Sequence, residues 1–323
     1  MFSQSSEGLI FKNLCIDPHK VPKSTNAFIS HAHSDHVKLS KKTLFFATAP
    51  TIDLVKERFG GANFSPIELN KKTDFDGFNI ELKENGHILG SAQALIESDG
   101  KEFVFTSDFR LQESLLFRGA EPLPCETLVL ETTFGSPEYV FPKQDEVAIE
   151  IGDWVIKNAK NGLVLLSGYS LGKSQELTKI ANDVGFIPVV HDSIFQANEI
   201  YKKHGVNVGN YLKLDHNLKD SSVLIMPPQL VDRHLFATLE HFDKRKISSS
   251  LATGWSYRGA FDKTFPLSNH SDYNDLLDYV KASNPKLVLT DHGFCEEFAR
   301  KLNKLGFNAK PLKQHKQKLI SEF

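Results

Sequence analysis

The stretch "HAHSDH", His31 to His36, packs three histidines and an aspartate into six positions. In an extended segment, residues two apart project to the same side, so His31 and His33 can offer their imidazoles to one ion. Asp35 and His36 follow where the chain must turn and can face a second ion beside the first. Neutral imidazole and carboxylate suit zinc, and a mixed His/Asp set leaves room for water. A lone H-x-H is most often a pair of solvated loop histidines. Four ligand-type residues at H-x-H-x-D-H spacing, directly after an apolar strand, favour a metal site instead.

The elements that must position these residues alternate in character along the chain. Residues 26 to about 135 carry short strand patterns, "NAFIS", "TLFFAT", "FNIEL", "QALIES", "EFVFTS" and "TLVLE", with one helix, "PTIDLVKERF", whose Pro50 suits a first helical turn. "SDGK" at 98 to 101 reads as a hairpin turn, because Asp-Gly supplies the positive φ that tight hairpins need. After residue 140, strand and helix alternate. "VAIEIGDWVIKNAKNG" places Val147, Ile151, Trp154 and Val155 on one helical face and ends at Gly162; "LVLLS", "KSQELTKIANDVG", "IPVV" and "SIFQANEIYKKHG" follow as strand, helix, strand and helix, and "SSVLIMPP" as a further strand. Such a block indicates parallel βαβ units. The tail "DYNDLLDYVKASNPKLVLTDHGFCEEFARKLNKLG" gives helix, strand, helix.

With 323 residues, 40% hydrophobic and 24% charged, the chain has ample material for a large α/β domain with an insertion, or for two domains. Lys plus Arg number 38 against 40 Asp plus Glu, so the net charge of −2 gives no bulk attraction to polyanions; such a partner must be held by a local groove or by metal. The three cysteines, Cys15, Cys125 and Cys295, are widely separated and odd in number, which argues against a disulfide framework and for a reducing, cytoplasmic setting. The first residues lack a basic segment followed by an apolar run, and no 18 apolar residues occur in sequence, so neither a signal peptide nor a membrane span is expected.

"HAHSDH" matches the H-x-H-x-D-H motif of the metallo-β-lactamase fold, an αββα sandwich of two sheets with metals at one edge. The resemblance implies further ligands at strand ends downstream. "NGHILGSAQ" places His87 after "FNIELKE", "FTSDFR" places Asp108 after "EFVF", and "LTDHGF" places His292 after "KLVL". Alone, each is more often a cap or turn residue. Together they imply His31, His33, His87 and Asp108 on one metal, and Asp35, His36, His292 and the bridging Asp108 on the other. Two zinc ions are the expected cofactors, with manganese as a substitute. Asp17 in "CIDPHK" stands where the family has a carboxylate orienting a ligand histidine; an Asp-Pro turn residue fits as well.

The sandwich hosts thioesterases, lactamases, oxidases and nucleases, so further segments must give the reaction. "LVLETTFGSPEY" resembles the E-[ST]-T-[YF]-G motif of the β-CASP nucleases, and "PLSNHSDY" resembles their S-x-H-x-D-[YW] motif, with Asn269 where an aspartate is common. The likeness covers nearly the whole chain and is strongest to the compact ligase-associated DNA exonucleases and mRNA 3′-end-processing-factor-like exonucleases. It implies a metallo-β-lactamase domain in two parts, 1–140 and 251–323, split by a β-CASP insertion at 141–250. It further implies His270 as general acid oriented by Glu131, with Asp35 positioning or deprotonating water. His270 could instead cap the following helix, and Glu131 could be a solvated strand-end acid. The implied substrate is single-stranded nucleic acid, DNA favoured narrowly over RNA, cut by an exonuclease in repair or processing.

"SGYSLGKS" imitates a P-loop, but G-x-x-x-x-G-K-[ST] requires glycine at 167, which is serine. Lys173 and Ser174 at a helix start can still hold a substrate phosphate, as can Arg258 and Arg110, while Tyr169, Trp255 and Tyr257 offer stacking faces. A tight strand-to-helix turn, in which Gly172 is needed for φ, accounts for the same residues equally well. The rivals are a thioester-type hydrolase of the same fold, which needs neither the insertion nor "SNHSDY", and a metal-free scaffold, which tends to lose ligands. A redox di-iron site usually carries more carboxylates.

Overall fold

The computed structural model describes residues 2–215, 218–256, 259 and 261–312. Its first sheet begins as an antiparallel meander of β1 (Phe2–Gln4), β2 (Leu9–Phe11) and β3 (Leu14–Ile16). It continues in parallel through β4 (Asn26–Phe28), β5 (Leu44–Ala47) and β6 (Asn63–Pro66). Helix α1 (Ala49–Phe59) joins the last two; Pro50 lies in its first turn and Thr48 caps it by accepting from the Thr51 N–H.

The second sheet starts with the antiparallel strands β7 (Lys72–Phe75), β8 (Phe78–Glu84), β9 (Ala92–Ser98) and β10 (Lys101–Phe105). The β9–β10 turn puts Asp99 and Gly100 at φ +52° and +71°, the paired left-handed conformation that the Asp-Gly sequence favours. β11 (Thr127–Glu131) then joins in parallel.

Next comes a run of parallel βα units: α2 (Gln144–Ala159), β12 (Gly162–Ser167), α3 (Lys173–Asp183), β13 (Val189–Val190), α4 (Asp192–Lys203), β14 (Leu212–Lys213), β15 (Val223–Met226), α5 (Arg233–Phe242), β16 (Lys246–Ala252) and β17 (Lys263–Phe265). Their sheet has the order β14-β13-β15-β12-β16-β17. One face packs Val164, Leu166 and Ile225 against α2, α3 and α4, and the other packs Leu163, Leu165 and Leu224 against Leu239 of α5. Gly162 does not cap α2, contrary to the expectation from sequence. It opens β12, where a Cβ would stand 2.5 Å from the Lys246 carbonyl oxygen, so the close strand pairing is what requires glycine.

The chain returns through α6 (Tyr273–Ser283), β18 (Leu287–Asp291), α7 (Cys295–Lys304) and β19 (Ala309–Pro311), which complete a second sheet of order β19-β18-β11-β10-β9-β8-β7. Alternation along β10 and β11 sorts the side chains: Phe103, Phe105 and Val129 join Phe11, Leu14 and Phe28 between the two sheets, while Val104, Leu128 and Leu130 face Leu276, Val280, Phe298 and Leu302 of α6 and α7. Mixed sheets packed face to face and covered by helices are the sandwich that the resemblance implies.

The chain forms two compact units. One holds the described residues of 1–113, 117–140 and 270–322, and the other holds 114–116 and 141–269. The return falls at His270, not 251, because β17 pairs with β16 and keeps the chain in the second unit's sheet through Phe265. Among the described residues, no helix is long and apolar enough to cross a membrane.

Phe11 anchors the first unit's core. It is fully buried, and its ring meets those of Phe2, Phe78 and Phe103 edge-on at 5.0, 5.3 and 5.2 Å. Truncation to alanine leaves a cavity between the sheets and is expected to cost about 3–5 kcal/mol, read from the shift in urea midpoint.

Candidate metal centre

Four strands of the first unit, with one 3-10 turn, deliver the predicted residues. His31 and His33 follow β4, His36 closes a single 3-10 turn at Ser34–His36, His87 follows β8, Asp108 follows β10, and His292 follows β18. The ligand atoms of His31, His33, His87 and Asp108 lie within 4.8 Å of one another, and so do those of His36, Asp108 and His292. Asp108 belongs to both groups. Its Oδ2 is 3.6 Å from His31 Nε2, 3.4 Å from His36 Nε2 and 4.0 Å from His87 Nε2, and His87 Nε2 is 3.1 Å from His33 Nδ1. Donors about 2.1 Å from a shared tetrahedral ion are themselves roughly 3.4 Å apart, which these spacings match.

Three of those atoms, His31 Nε2, His36 Nε2 and Asp108 Oδ1, are buried with no hydrogen-bond partner among the described residues. An orphaned buried polar atom costs about 1–3 kcal/mol, so three at one point make sense as ligands for a cation. At 3.4 Å the approach of His36 to Asp108 is a charge contact, too long for a well-formed hydrogen bond. The donors fit zinc.

Asp35 takes a different position from the others. Its side chain is 61% exposed, its Oδ2 lies 3.6 Å from His36 Nε2, and it is not one of the group formed by His36, Asp108 and His292. It stands at the rim, facing solvent and the second group together.

The electrostatics follow from crowding. Burial drives the His31 ring well below the ordinary imidazole range, and repulsion from His36 adds to this against the pull of Asp108. His36 is held well above that range: burial opposes its charge, but the Asp108 and Asp35 carboxylates prevail. Burial likewise opposes charge on Asp108, yet His36, His270 and His31 keep its carboxyl far below the carboxylate range. His292 is raised despite burial by Asp291 and Asp108. At Asp35 the protein packed around it opposes charge although the carboxylate's outer side is open to solvent, and the nearby histidines, His36 foremost, overcome this to lower the carboxyl.

Asp17 does more than make a turn. Its Oδ1 accepts from the Ser30 N–H at 2.8 Å, and its Oδ2 accepts from Ser30 Oγ at 2.6 Å and pairs with His36 Nδ1 at 2.9 Å. Holding Nδ1 aims His36 Nε2 at Asp108. Asp17→Asn is expected to weaken metal affinity about 10–100-fold in chelator competition, with the circular dichroism spectrum retained.

Sequence reasoning missed the supports beyond Asp17. Ser30 Oγ and Ser107 Oγ lie 3.0 and 3.2 Å from His31 Nδ1, and Asn85 Nδ2 donates to the Thr106 and Asp108 carbonyls at 3.1 and 2.8 Å. Asp17, Ser107 and His292 all adopt positive φ, at +46°, +56° and +58°, conformations that cost a non-glycine residue about 1–3 kcal/mol and tend to gather at functional sites. Beside His292, Gly293 is required by space as well as by φ: a Cβ there would sit 2.5 Å from the Thr132 carbonyl oxygen.

Glu131 is buried at the end of β11, not solvated. It accepts from the Thr133 N–H at 2.8 Å and the Phe109 N–H at 3.4 Å, and its Oε1 pairs with His270 Nδ1 at 3.1 Å. His270 does not cap α6; Asp272 does, accepting from the Asn274 and Asp275 N–H groups at 2.9 Å each. The His270 ring instead lies 4.6 Å from that of His87, and ligand atoms of Asp108, Glu131 and His270 fall within 4.8 Å of one another.

The predicted phosphate contacts fare less well. Ser174 is fully buried and its hydroxyl donates to the Gly168 carbonyl, so its proton is not available to a phosphate. The Gly172 N–H donates to Gln175 Oε1 and the Ser174 N–H to the Tyr169 carbonyl, so the start of α3 closes on itself as a strand-to-helix turn. Lys173 is buried with its ammonium 4.9 Å from the Tyr169 ring centroid. Arg110 is buried and donates from Nε to the Gln112 carbonyl. Arg258 and Tyr257 lie outside the described residues.

Residues 263–310 match the family described as the Zn-dependent metallo-hydrolase RNA specificity domain. Across 323 aligned residues, 94% of this chain, it is 34% identical to a probable DNA ligase of Opitutus terrae. It is 26% identical to human DNA cross-link repair 1A protein over 82% of the chain, and 22% identical to an RNase J-like protein of Methanocaldococcus jannaschii over 90%. The chain fits the metallo-β-lactamase, β-CASP nuclease family. It spans 30% of the Opitutus protein and 28% of the human one, but 88% of the RNase J-like protein. A solved protein of unknown function from Enterococcus faecalis shares the β-CASP chain's fold, with a TM-score of 0.64, 15% identity, and coverage of 91% of this chain and 80% of that one. Together with the His/Asp cluster, the metallo-hydrolase match marks the β-CASP chain as metal-binding.

Proposed function

We propose that this chain is a zinc-dependent nuclease that hydrolyses phosphodiester bonds in single-stranded nucleic acid as an exonuclease. The observation that carries the reading is the meeting, at one point, of orphaned buried donors with a histidine backed by a buried glutamate. His31, His33, His87 and Asp108 would hold one ion; His36, His292 and the shared Asp108 would hold the second, with Asp35 reaching in from the rim. Two zinc ions, when bound, supply Lewis acidity toward the phosphate and lower the pKa of water from 15.7 to about 7.

The chain's own groups do the rest. Asp35, exposed and held anionic by its histidine neighbours, orients the attacking water and accepts its proton. Glu131 fixes the tautomer and direction of His270 through Nδ1, leaving Nε2 to protonate the departing oxygen. Asp17 and Ser30 keep the His31 and His36 rings from turning away. DNA is the favoured polymer, because a relative 34% identical is named a probable DNA ligase and another a DNA cross-link repair protein, although the RNase J-like relative and the matched RNA specificity domain keep RNA close.

The test is direct. Matched DNA and RNA strands labelled at either end, incubated with the zinc-loaded protein, should be shortened from one end, DNA faster. Cleavage of a thioester with neither polymer touched would overturn the assignment.

A further inference from the structure

Beyond the His270–Glu131 pair, the loops that follow β11 and β18 carry three aromatic rings that no step above uses. Phe134 follows β11, Tyr139 lies five residues on, and Phe294 follows His292 by two residues. The Phe134 ring centroid is 5.9 Å from that of His270, Phe134 to Tyr139 is 5.1 Å, and Tyr139 to Phe294 is 5.4 Å. Phe134 is only 2% exposed, whereas Tyr139 and Phe294 are half-buried, so the row runs from the candidate general acid out to the surface. The backbone beneath is braced: the Phe294 N–H donates to the Thr132 carbonyl at 2.9 Å, Thr132 Oγ1 donates to the His292 carbonyl at 2.7 Å, and the Tyr273 N–H donates to the Tyr139 carbonyl at 3.0 Å. Two large rings are thus held at the surface by the loops that carry His292 and Glu131.

We infer that Tyr139 and Phe294 form a stacking platform for the unpaired nucleobase next to the scissile phosphodiester. The inference rests on the nuclease reading and deepens it by naming how the polymer is positioned. A base lies about one nucleotide's reach from its phosphate, and Phe294 is two residues from a ligand histidine, no more than about 7 Å along the backbone. Every base has a π face, so such a platform accepts any sequence but needs the base out of a duplex. It differs from the aromatic candidates visible in sequence: Tyr169 and Trp255 belong to the second unit, and Tyr257 lies outside the described residues. A purely structural role, two rings pinning neighbouring loops, would be served equally by aliphatic side chains.

That contrast sets the experiment. Phosphorothioate-linked single-stranded DNA carrying 2-aminopurine at the first, second or third position from either end is titrated with zinc-loaded protein, reading anisotropy and 2-aminopurine fluorescence together. Wild type and Tyr139→Phe should quench one position several-fold. The double variant Tyr139→Leu with Phe294→Leu, which keeps apolar volume without a π face, should lose the quench and bind about tenfold or more weakly at unchanged zinc content. Quenching that persists in the leucine pair would overturn the inference, as would wild-type protein that binds and cuts unmodified strands without quenching any position. If unmodified strands are neither bound nor cut, the nuclease reading falls, and the platform with it.

Discussion

Asp108→Ala should leave a folded protein that retains little zinc and hydrolyses phosphodiesters about a thousandfold or more slowly. Asp108 is the residue common to both donor groups, with its Oδ2 between 3.4 and 4.0 Å from three imidazole nitrogens and its Oδ1 buried without a partner. Its removal takes a ligand from both ions and the only buried carboxylate of those two groups, so the loaded state loses charge balance along with a donor. Because the water's acidity depends on the loaded site, loss of metal removes the nucleophile at neutral pH. Asp108→Asn separates the two effects. It keeps shape and removes charge, and it is expected to retain a fraction of the zinc with most of the activity lost. Zinc content by elemental analysis, paired with hydrolysis of an end-labelled strand, gives the readout. Full zinc occupancy in Asp108→Ala would remove the bridging role.

The site was more legible in sequence than the scaffold that tensions it, and the reason is chemical. Histidine and aspartate at H-x-H-x-D-H spacing are rare in combination, and His87, Asp108 and His292 each follow an apolar run that reads as a strand. The residues that aim them are common types with no spacing signature. Ser30, Ser107 and Asn85 act through contacts between segments up to 77 positions apart, as with Ser30 and Ser107, and only folding creates those contacts. Asp17 was visible only as an Asp-Pro turn or by likeness, and its bond to His36 spans 19 positions. Short elements were equally obscure. β1, β2 and β3 have three residues each, too few for alternation to declare itself, yet they supply Phe2, Phe11, Leu14 and Ile16 to the core. The helix start at Lys173 was open to two readings for the opposite reason: its motif imitates a phosphate loop, but the Ser174 hydroxyl and the Gly172 and Ser174 N–H groups bond within the turn, which only the folded backbone reveals.

His270→Ala should lower the turnover number about 10²–10⁴-fold while zinc content stays at the wild-type level, and that separation is what assigns it to chemistry. The ring touches the centre without being needed to hold an ion, since its Nδ1 is engaged by Glu131 at 3.1 Å and the two donor groups around Asp108 are complete without it. Glu131→Gln tests the coupling. Glutamine keeps the shape and one acceptor oxygen, enough for the Thr133 N–H or the Phe109 N–H but not for both, and it removes the negative charge facing the imidazole. The expected result is a smaller loss than in His270→Ala, concentrated in turnover and not in KM. A substrate whose leaving group needs no proton, such as a p-nitrophenyl phosphodiester, should be cut by both variants at close to the wild-type rate. If that substrate suffers as much as the polymer, His270 serves to bind or to shape the centre, and the leaving oxygen takes its proton from another source.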